Sequence, residues 1–205
     1  MNSKIIIAID AMGGENSPYK NIEGIALFLK KNKKNDVFFN IFGKEDLLKN
    51  LLIKNKISND KYKIFPTNTI VSDEETPLTA IKNSKESSMW HSINSQIISN
   101  SNITLSAGNT GVMFVISRML LKTIESVSKP ALAGLWPNKK NMNVVLDLGA
   151  NVECDEKNLI DFSEMGAALF KALFPNDTPK VALLNIGSEE IKGTEKLKKA
   201  YAKLK

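Results

Sequence analysis

Three short loops rich in glycine and asparagine each follow an apolar stretch of this sequence. They read IDAMGG at 9–14, SAGNTG at 106–111 and LDLGAN at 146–151. In an open parallel sheet the loops that follow the strands converge on one edge, where ligands bind. Such loops leave backbone N–H groups free and lead into helix N-termini, and both features suit anions such as phosphate. The pattern predicts one anion site built from several strand ends.

The first loop combines a carboxylate with two adjacent glycines. Asp10 ends the apolar stretch, and Gly13 and Gly14 follow within DAMGGENSP. The spacing is neither the G-x-G-x-x-G of dinucleotide-binding proteins nor a P-loop with its lysine and hydroxyl pair. A lone Gly-Gly pair is most often a tight turn. Asp10 is the functional signal, because a carboxylate at a strand end can orient loops or ligands.

The second loop is the most specific of the three. Gly108 and Gly111 allow the backbone to approach a ligand closely. Asn109 tolerates unusual backbone angles, and Thr110 can cap the helix that follows. An ordinary cap would explain Thr110 alone. Two glycines and an asparagine before an apolar helix exceed what a cap needs, so the pattern favours a ligand-binding loop.

The remaining candidate side chains lie further along the chain. Asp147 and Asn151 lie on either side of Gly149 in the third loop, where Asp147 could bind a ligand or hold neighbouring loop N–H groups. Lys192, in NIGSEEIKG, could neutralise phosphate or be an exposed surface lysine. Cys154 lies in an acidic run, which disfavours its thiolate.

Composition argues against several kinds of chemistry. The 205 residues include 28 Lys and Arg, 22 Asp and Glu, one Cys and one His, with a net charge of +6. A single cysteine excludes an internal disulfide framework, and a single histidine argues against a histidine-based metal site or a Ser–His triad. No apolar run is long enough to span a bilayer, so we expect a cytoplasmic protein. The sequence has no stripe of basic residues interleaved with aromatic residues, so nucleic-acid binding is only weakly supported.

Hydrophobic periodicity predicts alternating strands and helices. The predicted strands cover residues 4–10, 37–42, 62–65, 103–106, 131–136, 143–148 and 181–186. The predicted helices cover residues 18–31, 44–54, 77 or 80–98, 110–123, 159–173 and 193–204. The fifth and sixth strands are predicted to form a hairpin within the sheet. This order is typical of a doubly wound three-layer α/β/α sandwich with a mostly parallel sheet, and residues 1–205 are predicted to be a single α/β domain.

At these loops the sequence resembles the bacterial fatty acyl-ACP:phosphate acyltransferase family of phospholipid synthesis. The resemblance rests on IAIDAMGGENSP, AIKNSKESSMW, SAGNTG, KPALAGLWP, VLDLGANVEC, FSEMGAALF and LLNIGSEEIKG, in the family's order over nearly the whole chain. Glu15 replaces a usual Asp, Lys129 replaces a usual Arg, and Ser84 interrupts a basic run that keeps Lys82 and Lys85. The resemblance also implies that the family's C-terminal third lies outside this sequence.

The resemblance implies a fold related to phosphate acetyltransferases and to isocitrate dehydrogenase-like proteins. It implies transfer of a fatty acyl group from acyl carrier protein to inorganic phosphate. A membrane-bound glycerol-3-phosphate acyltransferase then consumes the acyl phosphate. The family further implies a homodimer, cytosolic and loosely associated with the membrane.

Transfer from a thioester to phosphate needs a bound dianion, an aligned carbonyl and a stabilised oxyanion. It requires no metal, no cofactor and no covalent enzyme intermediate, because phosphate is itself the nucleophile. We predict catalytic roles for Asn109, Lys192 and Asp10, with backbone donors from the GNTG loop and from Ala11–Gly14. The residues predicted to bind phosphate or substrate are Gly13, Gly14, Gly108, Thr110, Gly111, Asp147, Asn151 and Lys82.

Three alternatives stay open from the sequence. Either loop could bind phosphate while the other binds the thioester carbonyl. The related fold also fits a phosphate acetyl- or butyryltransferase that uses coenzyme A. A third alternative is a truncated, inactive binding module that docks acyl carrier protein or its own full-length partner.

Overall fold

The computed structural model describes residues 4–32, 34, 36–77, 79, 82, 84–98, 101–139, 141–189 and 191–205. The chain forms two compact units, Met1–Lys122 and Thr123–Lys205. Each unit has its own β-sheet. The assignment of residues 1–205 to a single domain stays a prediction.

The first unit is built around a four-stranded parallel sheet with strand order β3–β2–β1–β4. The strands are β1 (Ile5–Asp10), β2 (Val37–Gly43), β3 (Tyr62–Pro66) and β4 (Ile103–Ser106). In the register of the central strands, Asp10 lies opposite Phe42 on one side and opposite Ser106 on the other. The carboxyl ends of β1 and β4 therefore finish side by side, as the loop pattern predicted.

Helices cover both faces of this sheet. They are α1 (Tyr19–Lys31), α2 (Glu45–Lys54), α3 (Ser88–Asn94) and α4 (Thr110–Leu121). Because successive strand side chains point to opposite faces, Ile9 packs in the core with α1 and α2, while Asp10 faces α3. A second apolar cluster joins α3 to α4 through Met89 and Val112. The mostly parallel sheet between helical layers confirms the predicted α/β sandwich.

The second unit contains a two-stranded antiparallel sheet and two helices. Its elements are β5 (Ala133–Pro137), β6 (Met142–Leu146), α5 (Glu156–Leu173) and α6 (Glu195–Leu204). Helix α5 begins with a capping box between Asp155 and Asn158, and it packs against both β6 and α6. No helix in the described part of the chain is long and apolar enough to cross a membrane.

The structure corrects two strand predictions. The hairpin forms, but β5 and β6 make a separate sheet instead of extending the parallel one. Residues 181–186, all of them described, do not form a strand, and Leu184 and Ile186 are 95% and 86% exposed. A strand requires a neighbour that supplies ladder hydrogen bonds, and an apolar run alone does not provide one.

The long helix predicted from residue 77 or 80 to 98 is also corrected. Helix α3 begins at Ser88, because the side chain of Ser87 accepts a hydrogen bond from the Trp90 N–H at 3.1 Å and caps the helix. Helix α3 ends at Asn94. Residues 78, 80, 81 and 83 of the predicted helix lie outside the described residues.

Candidate functional site

A buried carboxylate joins three elements at the carboxyl edge of the first unit's sheet. Asp10, the last residue of β1, is 2% exposed. One of its oxygens accepts a hydrogen bond from the Ser88 hydroxyl at 2.6 Å, and the other accepts one from the Ser106 hydroxyl at 2.7 Å. Ser88 is the first residue of α3, and Ser106 is the last of β4. Asp10 therefore holds β1, β4 and α3 in one arrangement.

Burial raises the pKa of Asp10 above its ordinary value of 3.8, because the ionised carboxylate loses its contact with water. Hydrogen bonds from the two serines and from the N–H groups of Met12 and Gly13 favour the ionised form and oppose this shift. Desolvation is the larger effect. These four donors make Asp10 an organising residue of the loop that follows it.

The first and second glycine loops pack against each other with no space for side chains. A Cβ added at Gly13 would lie 2.5 Å from Asp10 Oδ2 and 3.0 Å from the Gly108 nitrogen. Gly14 has φ of +93°, and a Cβ there would lie 2.6 Å from the carbonyl oxygen of Ala107. Glycine is required at both positions because the two backbones are in contact.

Most N–H groups of the first loop are already hydrogen-bonded inside the protein. The Ala11 N–H donates to the Phe42 carbonyl at 3.0 Å, and the Met12 and Gly13 N–H groups bond to the buried carboxylate. Of the four predicted donors in this loop, the one left for a ligand is the N–H of Gly14.

Two side chains that the sequence analysis missed hold the carbonyl groups of the same loop. Asn21 Nδ2 donates to the carbonyls of Ala11 and Gly13 at 2.9 and 3.1 Å. Ser17 Oγ donates to the Met12 carbonyl at 2.7 Å. No local pattern distinguishes Asn21 from another polar residue in the first turn of α1, so the sequence carried no signal for this role.

Asn109, and not Thr110, caps helix α4. Asn109 Oδ1 accepts a hydrogen bond from the Val112 N–H at 3.1 Å. Asn109 Nδ2 donates to the carbonyls of Asp73 and Glu75 at 3.0 and 2.9 Å. Thr110 is instead the first helical residue. The amide of Asn109 therefore fixes the start of α4 and the segment that lies beside it.

The start of α4 supplies the backbone donors that the GNTG pattern predicts. Thr110 and Gly111 occupy the first two helical positions and are exposed. Helix geometry leaves the N–H groups of these positions without an acceptor inside the helix. They also lie at the positive end of the helix dipole. This end of α4 can therefore bind an anion.

The third loop, in the second unit, closes on itself. Asp147 has φ of +60°, and its Oδ1 accepts hydrogen bonds from Asn151 N at 3.1 Å and Asn151 Nδ2 at 3.0 Å. Asn151 Nδ2 also donates to the Pro130 carbonyl at 2.9 Å. Of the two roles considered for Asp147, the structure shows the one in which it holds the loop.

Cys154 lies next to this loop and is not activated. Its thiol donates to Asp147 Oδ2 at 3.4 Å. Burial, followed by the hydrogen bond and the charge of Asp147, raises the pKa of the Cys154 thiol above its ordinary value. The thiolate is therefore disfavoured, in agreement with the interpretation drawn from the acidic sequence around it.

The two predicted lysines are both exposed side chains. Lys82 belongs to the first unit and Lys192 to the second, where the Lys192 N–H donates to the Glu189 carbonyl at 2.9 Å. At the carboxyl edge of the first unit the structure brings together Asp10, Gly13, Gly14, Gly108, Asn109, Thr110 and Gly111. Among the residues described, no group of three or more His, Cys, Asp or Glu could hold a metal ion.

The fold places this site in a known structural class. The chain is similar to the EutD phosphotransacetylase from Staphylococcus aureus, with a TM-score of 0.61, 14% identity and coverage of 97% of this chain and 63% of the other. A phosphotransacetylase from Streptococcus pyogenes matches with a TM-score of 0.62, 15% identity and coverage of 91% and 60%. The fold is thus that of the phosphotransacetylase-like α/β proteins.

Residues 5–205 match the family described as "Fatty acid synthesis protein", and the chain belongs to this family. It is 54% identical over 203 residues to a phosphate acyltransferase of Pelagibacter ubique, and 40% identical over 203 residues to one of Anaplasma phagocytophilum. These matches cover 98% of this chain but only 60% and 59% of the two relatives. The family resemblance predicted from the loop motifs is confirmed.

Replacing Gly14 with alanine tests the close contact between the two loops. Gly14→Ala places a Cβ against the Ala107 carbonyl at a residue with φ of +93°. We expect a loss of more than about 1 kcal/mol in the free energy of unfolding, because alanine strains this backbone conformation. Gly24→Ala is the control, since a Cβ there meets nothing within 4 Å. Urea unfolding that shows equal effects for both variants contradicts the contact.

The raised pKa of Asp10 predicts how its contribution to stability depends on pH. Between 3.8 and the raised value, the folded protein binds more protons at Asp10 than the unfolded chain does. The contribution of this group to the free energy of unfolding therefore falls as pH rises through that window. We expect the stability of the wild type, relative to Asp10→Asn, to decrease as pH rises above 3.8.

Urea unfolding at a series of pH values measures this difference. Asp60→Asn is a control for which we expect the opposite dependence of stability on pH. The pKa of Asp60 lies below its ordinary value, mainly because of a hydrogen bond from Ser58. The wild type should lose stability relative to Asp60→Asn as pH falls below 3.8. A gain in stability of the wild type over Asp10→Asn with rising pH would contradict the prediction.

Proposed function

We propose that this protein acts in the transfer of a fatty acyl group from acyl carrier protein to inorganic phosphate, which releases an acyl phosphate. The observation that carries the proposal is the 54% identity to a phosphate acyltransferase over 98% of this chain. Because the chain spans 60% of that relative, we propose that residues 1–205 correspond to the N-terminal two-thirds of the family's catalytic domain.

In the proposed reaction a phosphate oxygen attacks the thioester carbonyl. A C–O bond forms, the C–S bond breaks, and the thiol of the carrier leaves after taking up a proton. The enzyme's task is to hold the phosphate dianion in line and to stabilise the oxyanion that develops on the carbonyl. The N–H groups of Thr110 and Gly111, at the positive end of the α4 dipole, are the proposed anion donors. The N–H of Gly14 is the proposed additional donor.

Asp10 and Asn109 act in this proposal as positioning residues. Asp10 is buried and hydrogen-bonded to both serines, which supports a role in holding the loops and not in proton transfer. Asn109 caps α4 and so sets the direction of the N–H groups at Thr110 and Gly111. Gly13 and Gly108 contribute by allowing the two loops to meet.

The other predicted residues enter the proposal with less direct roles. Lys192 offsets the charge of phosphate, and Lys82 attracts the anionic substrate; the exposure of both ammonium groups supports these roles. Asp147 and Asn151 shape the third loop, as their mutual hydrogen bonds support. We assign none of these four side chains a covalent step.

The proposed partners follow from the proposed reaction. Acyl carrier protein is acidic, and the net charge of +6 on this chain would favour the encounter. The product acyl phosphate would pass to a membrane-bound glycerol-3-phosphate acyltransferase. We further propose a homodimeric, cytoplasmic protein that associates loosely with the membrane, as the family resemblance implies.

Release of carrier thiol from acyl-acyl carrier protein in the presence and absence of phosphate tests the function. We expect turnover that depends on phosphate, and at least about tenfold lower kcat/KM with acetyl- or butyryl-CoA, a difference of about 1.4 kcal/mol in transition-state binding. Faster turnover of the CoA esters would favour the acetyl- or butyryltransferase alternative. Binding of the carrier without turnover, in this chain and in one extended to the relatives' length, would favour the inactive binding module.

Asn109→Ala tests the positioning of the α4 donors. The variant loses the helix cap and the two hydrogen bonds to the carbonyls of Asp73 and Glu75, which would displace the N–H groups at the start of α4. A displacement of about 1 Å can lower a rate about 10²-fold. We expect kcat/KM for phosphate to fall by about that factor, and Lys192→Ala to raise KM for phosphate. Asn50→Ala, exposed on α2, is the matched control. Unchanged acyl phosphate formation in both Asn109→Ala and Lys192→Ala would overturn these roles.

A further inference from the structure

A cavity lies at the edge of the first unit's sheet opposite the candidate site. It has a volume of about 680 Å³ and opens between the last turns of α1, the segment that follows α2 and the first residue of β2. Sites for small ligands typically measure about 300–1,000 Å³. Since β2 rises about 3.3 Å per residue, its seven residues separate this cavity from the candidate site by roughly 20 Å.

The floor of this cavity is apolar. Val37 and Ile57 line it and are 7% and 8% exposed. Ala26 and Leu29 of α1 also line the cavity and pack against the same core. No aromatic side chain is among its described lining residues. The floor therefore suits an alkyl chain better than a flat ring that needs a stacking partner.

Three lysines contribute positive charge to the same cavity: Lys30, Lys56 and Lys61. The side chain of Lys61 is only 19% exposed, and its ammonium lies 3.8 Å from the carboxylate of Asp60, whose side chain is 62% exposed. Such a long contact with a solvated carboxylate leaves most of the Lys61 charge available. Within the described part of the chain, neither Lys30 nor Lys56 forms an ion pair.

Lysines near helix C-termini often serve only to neutralise the last carbonyl groups. At the end of α2, backbone N–H groups already bond to two of these carbonyl groups. The Lys56 N–H donates to the Ile53 carbonyl at 2.9 Å, and the Ile57 N–H donates to the Leu52 carbonyl at 3.0 Å. The ammonium of Lys56 is therefore not needed for the end of this helix.

Asp36, which directly precedes the lining residue Val37 in the chain, is a nearby carboxylate that is already hydrogen-bonded. Asp36 accepts a hydrogen bond from Asn32 Nδ2 at 3.1 Å, and Asn32 itself lines the cavity. The cavity therefore combines an apolar floor with ammonium groups that exceed the nearby carboxylates. An uncharged alkyl molecule would leave the exposed Asp60 carboxylate, 3.8 Å away, as the main partner of the Lys61 ammonium, and a small anion would leave the floor uncovered.

We propose that this cavity binds a single-chain amphiphile with an anionic head group, a carboxylate or a phosphate. The alkyl chain lies on Val37, Ile57 and Leu29, and the head group pairs with Lys61. Lys30 and Lys56 attract the anion at the mouth of the cavity. This site is separate from the proposed transfer reaction and does not require it.

Isothermal titration of the 205-residue chain with decanoate and with decyl phosphate, below their micelle concentrations, tests the proposal. We expect saturable binding of at least one of the two at one site per chain. The two probes distinguish a carboxylate from a phosphate head group. Acetate, inorganic phosphate and decanol should each bind at least about tenfold more weakly, because each lacks one of the two complementary parts.

Lysine variants test whether the probes bind in this cavity. Lys61→Gln should weaken binding of the better probe by about tenfold, the loss expected for one charge-assisted hydrogen bond. The double variant Lys30→Gln/Lys56→Gln changes two exposed side chains and keeps the test valid should Lys61→Gln fail to fold. We expect a weakening of at least about threefold, which grows at low salt. Lys20→Gln, exposed on α1 outside the cavity, is the matched control and should bind normally.

Amide chemical shifts provide the readout of position. Decanoate binding should shift the resonances of Val37 and Ile57 and leave those of Gly14 and Gly111 unchanged, whether or not the chain forms acyl phosphate. Decyl phosphate should also shift Val37 and Ile57, and any added shift of Gly14 and Gly111 reports its phosphate group at the separate site proposed on α4. Three results would overturn the proposal: equal affinity in the wild type and both lysine variants, decanol binding as tightly as decanoate, or shifts confined to other surfaces. Tighter binding of an acidic peptide such as oligoglutamate than of either probe would also overturn it.

Discussion

The buried carboxylate of Asp10 is the constraint on which the candidate site depends. Burying a charge costs free energy unless donors replace the lost water, and here two hydroxyl and two backbone N–H groups do so. The donors come from α3, from β4 and from the loop after β1. A Cβ at Gly13 would lie 2.5 Å from the same carboxylate. The charge therefore dictates both the arrangement of the elements and the residue type beside it.

The two glycine loops of the first unit use their backbone polar groups differently. The loop after β1 uses nearly all of its N–H and C=O groups internally, through Asp10, Asn21 and Ser17. The loop before α4 uses the amide of Asn109 for the cap and leaves the following N–H groups at the surface. One loop thus supports the fold through its internal hydrogen bonds, and the helix start beside it is the element proposed to bind an anion.

The two edges of the parallel sheet carry different kinds of positive potential. At the carboxyl edge it comes from backbone dipoles, which are fixed in direction and suit a compact dianion that must be aligned. At the amino edge it comes from the ammonium group of Lys61 beside an apolar floor. A flexible ammonium can follow a head group but cannot align it. The carboxyl edge therefore suits the proposed acyl transfer, and the amino edge suits the proposed binding of an amphiphile.

Local sequence determined the element order of the first unit, the hairpin, and the glycines of the two packed loops, because periodicity and backbone freedom are properties of neighbouring residues. The contacts that make the site were decided by the tertiary structure. Asp10 meets Ser88 and Ser106 from 78 and 96 residues away, and no pattern within either segment specifies its partner. The failed strand at 181–186 has the same cause: an apolar run encodes a tendency to pair, but the hydrogen bonds of a strand come from a neighbour supplied by the fold.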